Sequence, residues 1–332
     1  MTPEVVAHGE VLIDLSQHGP GPMGYPAYEA LPGGGVANLA VALGRWGHRV
    51  GFSGRVGADA LGTLLRKVLE DGKVDTSRLT SDFPPTTMAI VSLDAHGDRS
   101  FDFLWQGTSC AGLPVALARP TGQADKAQLP KVFHFSTVSM CEPVGFANNL
   151  TSARSHKEAG VAISFDPNFR PRLWEKPDEA RRAIHEGLAL ADIVKISEEE
   201  VAFALGEPAG DPLEQAKKLR AQLAKGKTQP ALLFVTLGPQ GCLWNCGGEW
   251  GRQTPPPVKV VDTTGAGDCF MAGVLHSLLV LGKAPSQVLP AEAAALAAFG
   301  VKTGSLATTK RGGIPSIPTL EEVKVDKGVS HG

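Results

Sequence analysis

From Lys131 onward, short apolar runs rich in β-branched residues alternate with segments of helical periodicity. The predicted strands are residues 131–136, 161–166, 192–197 and 231–236, and the predicted helices are about 144–159, 178–190, 198–205 and 212–225. The run at 231–236, ALLFVT, is almost wholly apolar, as is typical of a strand buried on both faces. This alternation predicts an α/β fold in which crossover helices join the strands of a parallel sheet.

The first third of the chain follows a different pattern. Residues 4–14 predict a strand, whereas residues 17–35 are too rich in glycine and proline for a regular helix. A helix of small apolar residues is predicted after Gly33, Gly34 and Gly35, with a stop at Gly47. Residues 84–108 predict a β-hairpin around a loop at 95–98. We expect this hairpin to form a small sheet, either a lid over a binding site or a plain edge hairpin.

A second glycine-rich turn lies nearer the C-terminus, where residues 262–270 read DTTGAGDCF and an apolar helix pattern follows. A Gly-Ala-Gly turn that opens into a helix leaves backbone N–H groups unpaired at the positive end of the helix dipole. These groups predict an anion site, and Asp268 places a carboxylate beside it. The pairing suits phosphoryl transfer, which needs a stabilised phosphate and a base. Alternatively, Asp268 only complements the helix dipole.

Polar residues follow three of the predicted strands. Asp166 and Asn168 come after one strand, Ser197 and Glu200 after the next, and Thr236 and Gly238 after the third. In parallel sheets, ligands bind beyond the carboxyl ends of the strands. The sequence therefore predicts a ligand site at this edge, although each residue alone is also a common helix cap or turn residue.

Composition narrows the classes of partner. The 332 residues are 42% hydrophobic and 20% charged, which allows one large domain or two ordinary ones with a sizeable core. The net charge of −2 and the absence of long Lys or Arg runs argue against nucleic acid and favour small molecules. The five cysteines are scattered, and Cys242 and Cys246 lack the further ligands that a zinc site needs.

The N-terminus and the most apolar segment bear on location. The first residues include Glu4 and have neither a basic region nor a small-residue cleavage site, so they do not resemble a secretion signal. The most apolar run, residues 269–281, is shorter than the ~20 residues that cross a bilayer. We expect a cytoplasmic protein without a membrane partner.

Three motifs make the chain similar, over nearly its full length, to the ribokinase-like (PfkB-type) sugar kinases. They are DTTGAGDCFMAG at 262–273, GGGVANLAVALGRWG at 33–47 and RVGADALG at 55–62. The resemblance implies a three-layer α/β/α fold with a mostly parallel central sheet and a small β lid from about 12–33 and 84–110. It implies a kinase domain over 1–325, a C-terminal tail at 326–332 and a homodimer formed through the lid.

The resemblance also implies roles for individual residues. The anion hole is expected from Gly265, Ala266 and Gly267, with Asp268 as the base; the sugar site is expected from Asp14, Gly34, Gly35 and Asn38. ATP and Mg²⁺ are the implied cofactors, with Lys195, Ser197, Glu200, Thr236 and Gly238 on the nucleotide side; Ser197 replaces the Asn of the family's NxxE motif. A potassium loop is implied at Asp262, Thr264, Ala307, Gly312 and Ser316.

The segment DPNFRPRLW at 166–174 resembles fructokinases and 2-keto-3-deoxygluconate kinases. Its Arg170 is expected to reach a substrate hydroxyl or carboxylate, or to be a surface residue. The 2-keto-3-deoxygluconate kinases of the family usually present a Tyr-Arg pair where this chain has Leu104 and Trp105, which favours a neutral sugar. Trp105 is predicted either to stack on the sugar or to belong to the core.

The function predicted from these residues is ATP-dependent phosphorylation of a monosaccharide hydroxyl, with fructose as the first candidate. The alternatives are a 2-keto-3-deoxygluconate or other sugar-acid kinase, a nucleoside kinase, and a sugar-binding regulator without activity. No Walker motif is present, so the phosphates must be held by the helix N-terminus at residues 265–267.

Overall fold

The apolar runs of the sequence become strands of one large sheet in the computed structural model, which describes residues 2–82, 84–93, 99–118, 129–226 and 229–324. The strands are β1 Val5–His8, β2 Leu12–Pro20, β3 Pro26–Gly33, β4 Val50–Gly57, β5 Val74–Asp82, β6 Met88–Leu93, β7 Arg99–Leu104, β8 Val132–Ser136, β9 Ala162–Asp166, β10 Ile193–Ser197, β11 Leu232–Thr236, β12 Cys242–Cys246 and β13 Glu249–Gln253. The helices are α1 Gly35–Arg45, α2 Ala60–Asp71, α3 Pro143–Glu158, α4 Pro177–Leu190, α5 Glu198–Leu205, α6 Pro212–Lys225, α7 Ala266–Leu281, α8 Pro290–Ala307 and α9 Leu320–Lys324.

Among the described residues, the large sheet has nine strands in the order β13-β12-β11-β10-β9-β8-β1-β4-β5. The strands from β11 across to β5 pair in parallel, while β12 and β13 add an antiparallel edge. The carboxyl ends of β1, β8, β9 and β10 therefore lie side by side. The predicted parallel sheet is confirmed, with its four predicted strands placed next to one another as β8 to β11.

Helices cover both faces of this sheet. Val5 and Ala7 of β1 pack in one apolar cluster with α1, α2, α7 and α8, whereas Val6 packs in a second cluster with α3, α4, α5 and α6. Leu232 and Leu233 of β11 divide in the same way between the two clusters. Alternate side chains of a strand point to opposite faces, so the structure has the predicted three layers.

The second sheet is small and has the order β3-β2-β6-β7 within the described part of the chain. β2 pairs antiparallel with β3 and parallel with β6, and β6 and β7 form the predicted hairpin. The hairpin loop at 95–98 and the predicted tail at 326–332 lie outside the described residues. The helix at 144–159 and its three predicted successors are confirmed to within one or two residues as α3 to α6.

The prediction of one strand over residues 4–14 is wrong. The chain forms β1 in the large sheet, turns at Gly9 and Glu10, and continues as β2 in the small sheet. Residues 5–7 and 11–13, on either side of the turn, are apolar, and periodicity does not mark the point where a buried chain passes from one sheet to another. No described helix is long and apolar enough to cross a membrane.

Three histidines are buried in this framework as neutral rings. Burial lowers the pKa of His8 and of His134 to about 3, and that of His156 to about 4. The Nδ1 atom of His134 lies 2.8 Å from Ser164 Oγ. An unfolded histidine binds a proton near pH 6.5. The unfolded chain therefore holds more protons than the folded one below that pH, and stability must fall as the pH drops from 6.5 toward 4.

We predict that His134→Gln reduces the dependence of the unfolding free energy on pH between 5 and 6 by about 1.4 kcal/mol per pH unit, the linkage for one proton. Urea denaturation at several pH values measures this slope. The control, Ser164→Ala, removes the hydrogen bond but keeps the imidazole, so its slope should match that of the wild type. An unchanged slope in His134→Gln would show that this ring is protonated in the folded state.

Candidate active site

A cavity of about 790 Å³ lies where the carboxyl ends of β1, β8, β9 and β10 face the small sheet. Most predicted site residues from all parts of the chain meet here. The predicted residues that line it are Asp14, Gly34, Gly35, Asn38, Arg170, Lys195, Ser197, Glu200, Thr264, Gly265, Gly267 and Asp268. Because they come from the first glycine-rich turn, the strand ends and the second glycine-rich turn, the fold unites three motifs that are distant in sequence.

The two glycine-rich turns begin helices that converge on one carboxylate. Gly265 has a φ of +78° and precedes the first residue of α7, which places Asp268 in the first turn of that helix. Asn38, in the first turn of α1, donates a hydrogen bond from Nδ2 to Asp268 Oδ2 over 2.8 Å. Asn38 is 3% and Asp268 9% exposed. The predicted base is thus oriented by a residue of the predicted sugar site.

A second cavity of about 820 Å³ adjoins the first. Thr236 and Gly238 line it, as do Pro255, Pro256, Pro257 and residues of α8. Gly267 lines both cavities, whereas Ala266 lines only the second and Asp268 only the first. One turn of α7 therefore separates two compartments, with the start of the helix at the wall and the carboxylate on one side; the Ala266 N–H there donates to the carbonyl of residue 263 over 3.2 Å.

A buried ion pair lies against this wall. Lys195 Nζ donates a hydrogen bond to Asp166 Oδ1 over 3.0 Å, and a Cβ at Gly267 would lie only 3.0 Å from the same Nζ atom. Burial raises the pKa of Asp166 to about 6, although Lys195 lowers it. Burial lowers the pKa of Lys195, but Asp166 and Glu200 hold it above its ordinary value. The ammonium group is therefore charged and lies beside the predicted anion hole.

Ser197 and Glu200 form a reciprocal cap at the start of α5. Ser197 Oγ accepts the Glu200 N–H, while Glu200 Oε2 accepts the Ser197 N–H over 2.8 Å. The other carboxylate oxygen of Glu200 accepts the Phe169 N–H over 2.7 Å and so holds the loop after β9. Both residues line the first cavity. The side chains that cap α5 are therefore the same ones that are predicted to lie on the nucleotide side of the site.

The predicted potassium residues lie in two neighbouring segments. Asp262 Oδ1 accepts the Thr264 N–H and Oδ2 accepts the Gly312 N–H, each over 2.8 Å. Ala307 ends α8, and the next carbonyl, that of residue 308, accepts the N–H of Asp262. Ser316 donates to the carbonyl of residue 313. Asp262, Thr264 and Gly312 are thus directly joined. Of the five predicted residues, Thr264 lines the first cavity, and the other four line neither cavity.

The acceptor side of the first cavity combines polar and aromatic groups. The glycine turn lies against Asp14, since a Cβ at Gly33 would overlap the Asp14 carboxylate. Arg170 lines the cavity, and its Nη1 donates to the Phe169 carbonyl over 3.3 Å. Phe103 of β7 lines the cavity, whereas Trp105 is 5% exposed and packs in the apolar cluster beneath the small sheet. The core alternative for Trp105 is therefore confirmed.

Sequence reasoning missed Glu10, Phe103 and Phe203 as lining residues of the first cavity. Glu10 follows β1 directly, so the strand-end argument that singled out Asp166 would have found it had residues 4–14 been divided correctly. No comparable signal marks the two phenylalanines, because aromatic residues in strands and helices are most often core residues.

Comparisons with known proteins bear on this geometry. Residues 2–320 match the family described as pfkB family carbohydrate kinase. The chain is 36% identical over 329 residues to a probable chloroplastic fructokinase-6 of Arabidopsis thaliana, covering 97% of this chain and 82% of that protein.

Two solved structures are similar over most of the chain. A fructokinase from Vibrio cholerae O395, in a fructose, ADP and calcium ion bound form, has a TM-score of 0.77 at 29% identity, with 96% of this chain and 97% of that chain covered. An aminoimidazole riboside kinase from Salmonella enterica, complexed with aminoimidazole riboside and an ATP analogue, has a TM-score of 0.76 at 27% identity, with the same coverage.

The family match, the ribokinase-like layers and the two cavities that meet at one helix turn agree with one another. The chain belongs to the pfkB family of carbohydrate kinases.

Proposed function

We propose that this protein is an ATP-dependent kinase that transfers the γ-phosphoryl group to a hydroxymethyl oxygen of fructose. The observation that carries the proposal is the position of the first turn of α7 between the two cavities. Asp268 faces the first cavity, Ala266 faces the second, and Gly267 faces both. An acceptor in one cavity and a triphosphate in the other would meet at this turn.

Each group at the turn has a role in phosphoryl transfer. Asp268 accepts the proton of the attacking hydroxyl late in the transfer, so it need not be strongly basic. The backbone N–H groups of residues 265–267 and the Lys195 ammonium group stabilise the negative charge of the transferring phosphate. Asn38 fixes the orientation of the Asp268 carboxylate through its hydrogen bond.

The donor side of the proposal rests on the second cavity. Thr236 and Gly238 line it, and we assign the nucleotide to this space. Among the described residues, no three His, Cys, Asp or Glu side chains converge as a metal site. This suits Mg²⁺, which kinases bind through one or two carboxylates, water and substrate phosphates. Glu200, with Ser197, would hold it, and Mg²⁺ would neutralise phosphate charge.

Fructose is favoured as the acceptor by three observations. The Arabidopsis and Vibrio relatives are described as fructokinases, and the Vibrio structure contains fructose. Among the described residues that line the first cavity, Arg170 and Lys195 are the cationic ones. Because Lys195 is paired with Asp166, it is not available to the carboxylate of a sugar acid. Leu104 and Trp105 offer no charge for a sugar acid. The Salmonella kinase keeps a nucleoside acceptor as the second candidate.

Other features remain predictions. A non-catalytic sugar-binding regulator would be expected to have lost the base or the anion hole, but Gly265, Ala266, Gly267 and Asp268 are all present. The kinase domain over 1–325, the cytoplasmic location and the homodimer through the small sheet stay predictions. Tyr25 and Tyr28 of that sheet's region are exposed, which is consistent with an interface between two copies.

We predict that Asp268→Asn lowers kcat for fructose by at least ~100-fold, because the variant keeps an oxygen for Asn38 but loses the base. The KM values for fructose and ATP should change little. ADP release with Mg-ATP measures the rate. The control, Glu292→Gln, alters another first-turn carboxylate, at the start of α8, and should keep full activity. A substantial residual kcat in Asp268→Asn would contradict the assignment of the base.

We predict that fructose gives the highest kcat/KM in a panel with 2-keto-3-deoxygluconate and aminoimidazole riboside. Arg170→Ala should raise the KM for fructose about 10-fold or more, since a charged donor to a hydroxyl contributes roughly 1.5–3 kcal/mol. Arg154→Ala is the matched control, because Arg154 pairs with Glu186 on the surface. A higher kcat/KM for 2-keto-3-deoxygluconate than for fructose, together with a larger effect of Arg170→Ala on the KM for the sugar acid, would identify the protein as a sugar-acid kinase instead.

We propose further that potassium binds at the paired segments around Asp262 and Gly312, where carbonyl and carboxylate oxygens suit this ion. Turnover should be severalfold faster in potassium chloride than in tetramethylammonium chloride at equal ionic strength. Asp262→Asn should abolish the difference, because the amide keeps only one of the two oxygens that accept the Thr264 and Gly312 N–H groups. Equal rates of the wild-type enzyme in the two salts would contradict this site.

A further inference from the structure

Glu10 is a buried carboxyl group in the first cavity to which the proposed reaction assigns no role. It lies in the turn between β1 and β2, is 1% exposed, and lines the cavity. Its Oε1 atom accepts the Val36 N–H over 3.3 Å, and its Oε2 atom accepts the Ser136 hydroxyl over 3.1 Å. Val36 belongs to the first turn of α1 and Ser136 ends β8. Glu10 therefore joins a helix start to a strand end.

The helix that Glu10 contacts has no cap of its own. The residue before α1 is Gly34, which has no side chain to accept a first-turn N–H and whose φ is +106°. A Cβ at Gly34 would lie 2.7 Å from the Glu10 carbonyl oxygen, so glycine is required for this close approach. The carboxylate of Glu10 thus supplies from another element the acceptor that a capping side chain normally provides.

Glu10 also lies close to the reacting groups. Around Gly35, the position that a Cβ would occupy is 3.2 Å from Glu10 Oε1 and 3.0 Å from Asp268 Oδ1. The amide nitrogen of Asn168 is closer still to that position. Burial raises the pKa of Glu10 to about 7, and Asp268 contributes to the rise. An acid is costly to bury there, which favours a role in the site over a packing role.

We propose that Glu10 is a positioning residue of the phosphoryl-transfer site: its carboxyl group ties the first turn of α1 to the end of β8 and so holds Asn38 against Asp268. Asn38 follows Val36 by two residues in the same turn, and its own N–H donates to the Gly34 carbonyl over 2.8 Å. When the turn moves, Asn38 moves with it. This inference rests on the proposed kinase function, because it assigns Glu10 a part in orienting the proposed base.

A double-mutant cycle tests the proposal. Glu10→Ala and Asn38→Ala should each lower kcat for fructose by about 100-fold, the loss expected from a misplacement of about 1 Å. Because Glu10 acts through Asn38, the double variant should be no worse than about threefold below either single one. Glu10→Gln keeps an acceptor for Val36 and should retain kcat within about threefold. The KM for ATP should be unchanged in all variants.

Two further results separate positioning from general stability. Glu292→Ala removes a carboxylate that accepts the Leu289 N–H at the start of α8, and this residue lines neither cavity. It should lower stability without changing kcat. Additive losses in the cycle, or a kcat for Glu10→Gln as low as that for Glu10→Ala, would overturn the positioning role.

Hydrogen exchange gives a readout that does not depend on turnover. Exchange at residues 34–38 should become faster in Glu10→Ala and stay at the wild-type rate in Glu10→Gln. Unchanged exchange in Glu10→Ala would overturn the proposal even if the enzyme is active. If the wild type phosphorylates no sugar but exchange responds as expected, the tie between α1 and β8 stands and the proposed kinase function fails.

Discussion

The hydrogen bond from Asn38 to Asp268 joins the two halves of the site, and the rest of the arrangement depends on it. It connects the first turns of α1 and α7, two helices that begin more than two hundred residues apart in sequence. Both helices begin after a glycine with positive φ, Gly34 or Gly265, and neither glycine offers a side-chain cap. Gly35 and Gly265 line the first cavity, and because the Val36 N–H is taken by Glu10, the α7 turn is where backbone N–H groups can act on an anion.

The buried ion pair of Lys195 and Asp166, beside the first turn of α7, is not explained by stability alone. Replacing a buried ion pair by apolar residues is often neutral or stabilising, so Lys195 and Asp166 are weak evidence for a stabilising role. Lys195 lies beside Gly267, at the proposed anion hole. A fixed cation in a low-dielectric site stabilises the negative charge of a transferring phosphate strongly. Asp268, Glu200 and Asp166 balance that cation in the absence of substrate.

The parts of the fold that periodicity describes well were predictable. The strands β8 to β11 are short apolar runs that alternate along the chain with the helices α3 to α6. The change of sheet at Glu10 was not predictable, because residues 5–7 and 11–13 on either side of the turn are apolar and the turn has no proline. The error concealed Glu10 itself, since a residue inside a continuous strand would not lie at a sheet edge.

Which side chains near the end of β7 face the first cavity depends on the residue at which that strand ends. The pattern could not decide whether Trp105 faces the sugar or the core, but β7 ends at Leu104, and the Thr108 hydroxyl donates to the Trp105 carbonyl in the turn that follows. Trp105 consequently enters the core while Phe103 faces the cavity. The motif residues of the two glycine-rich turns were predictable, because the need for free N–H groups at a helix start restricts the sequence strongly.

In the proposed reaction, an acceptor hydroxyl and a triphosphate meet at the first turn of α7. A crystal structure of the protein with fructose and a non-hydrolysable ATP analogue would show whether they do. We expect a hydroxymethyl oxygen within roughly 2.6–3.2 Å of the Asp268 carboxylate, with the terminal phosphate at the N–H groups of that turn. Fructose bound with no hydroxyl near Asp268, or a triphosphate outside the second cavity, would contradict this expectation.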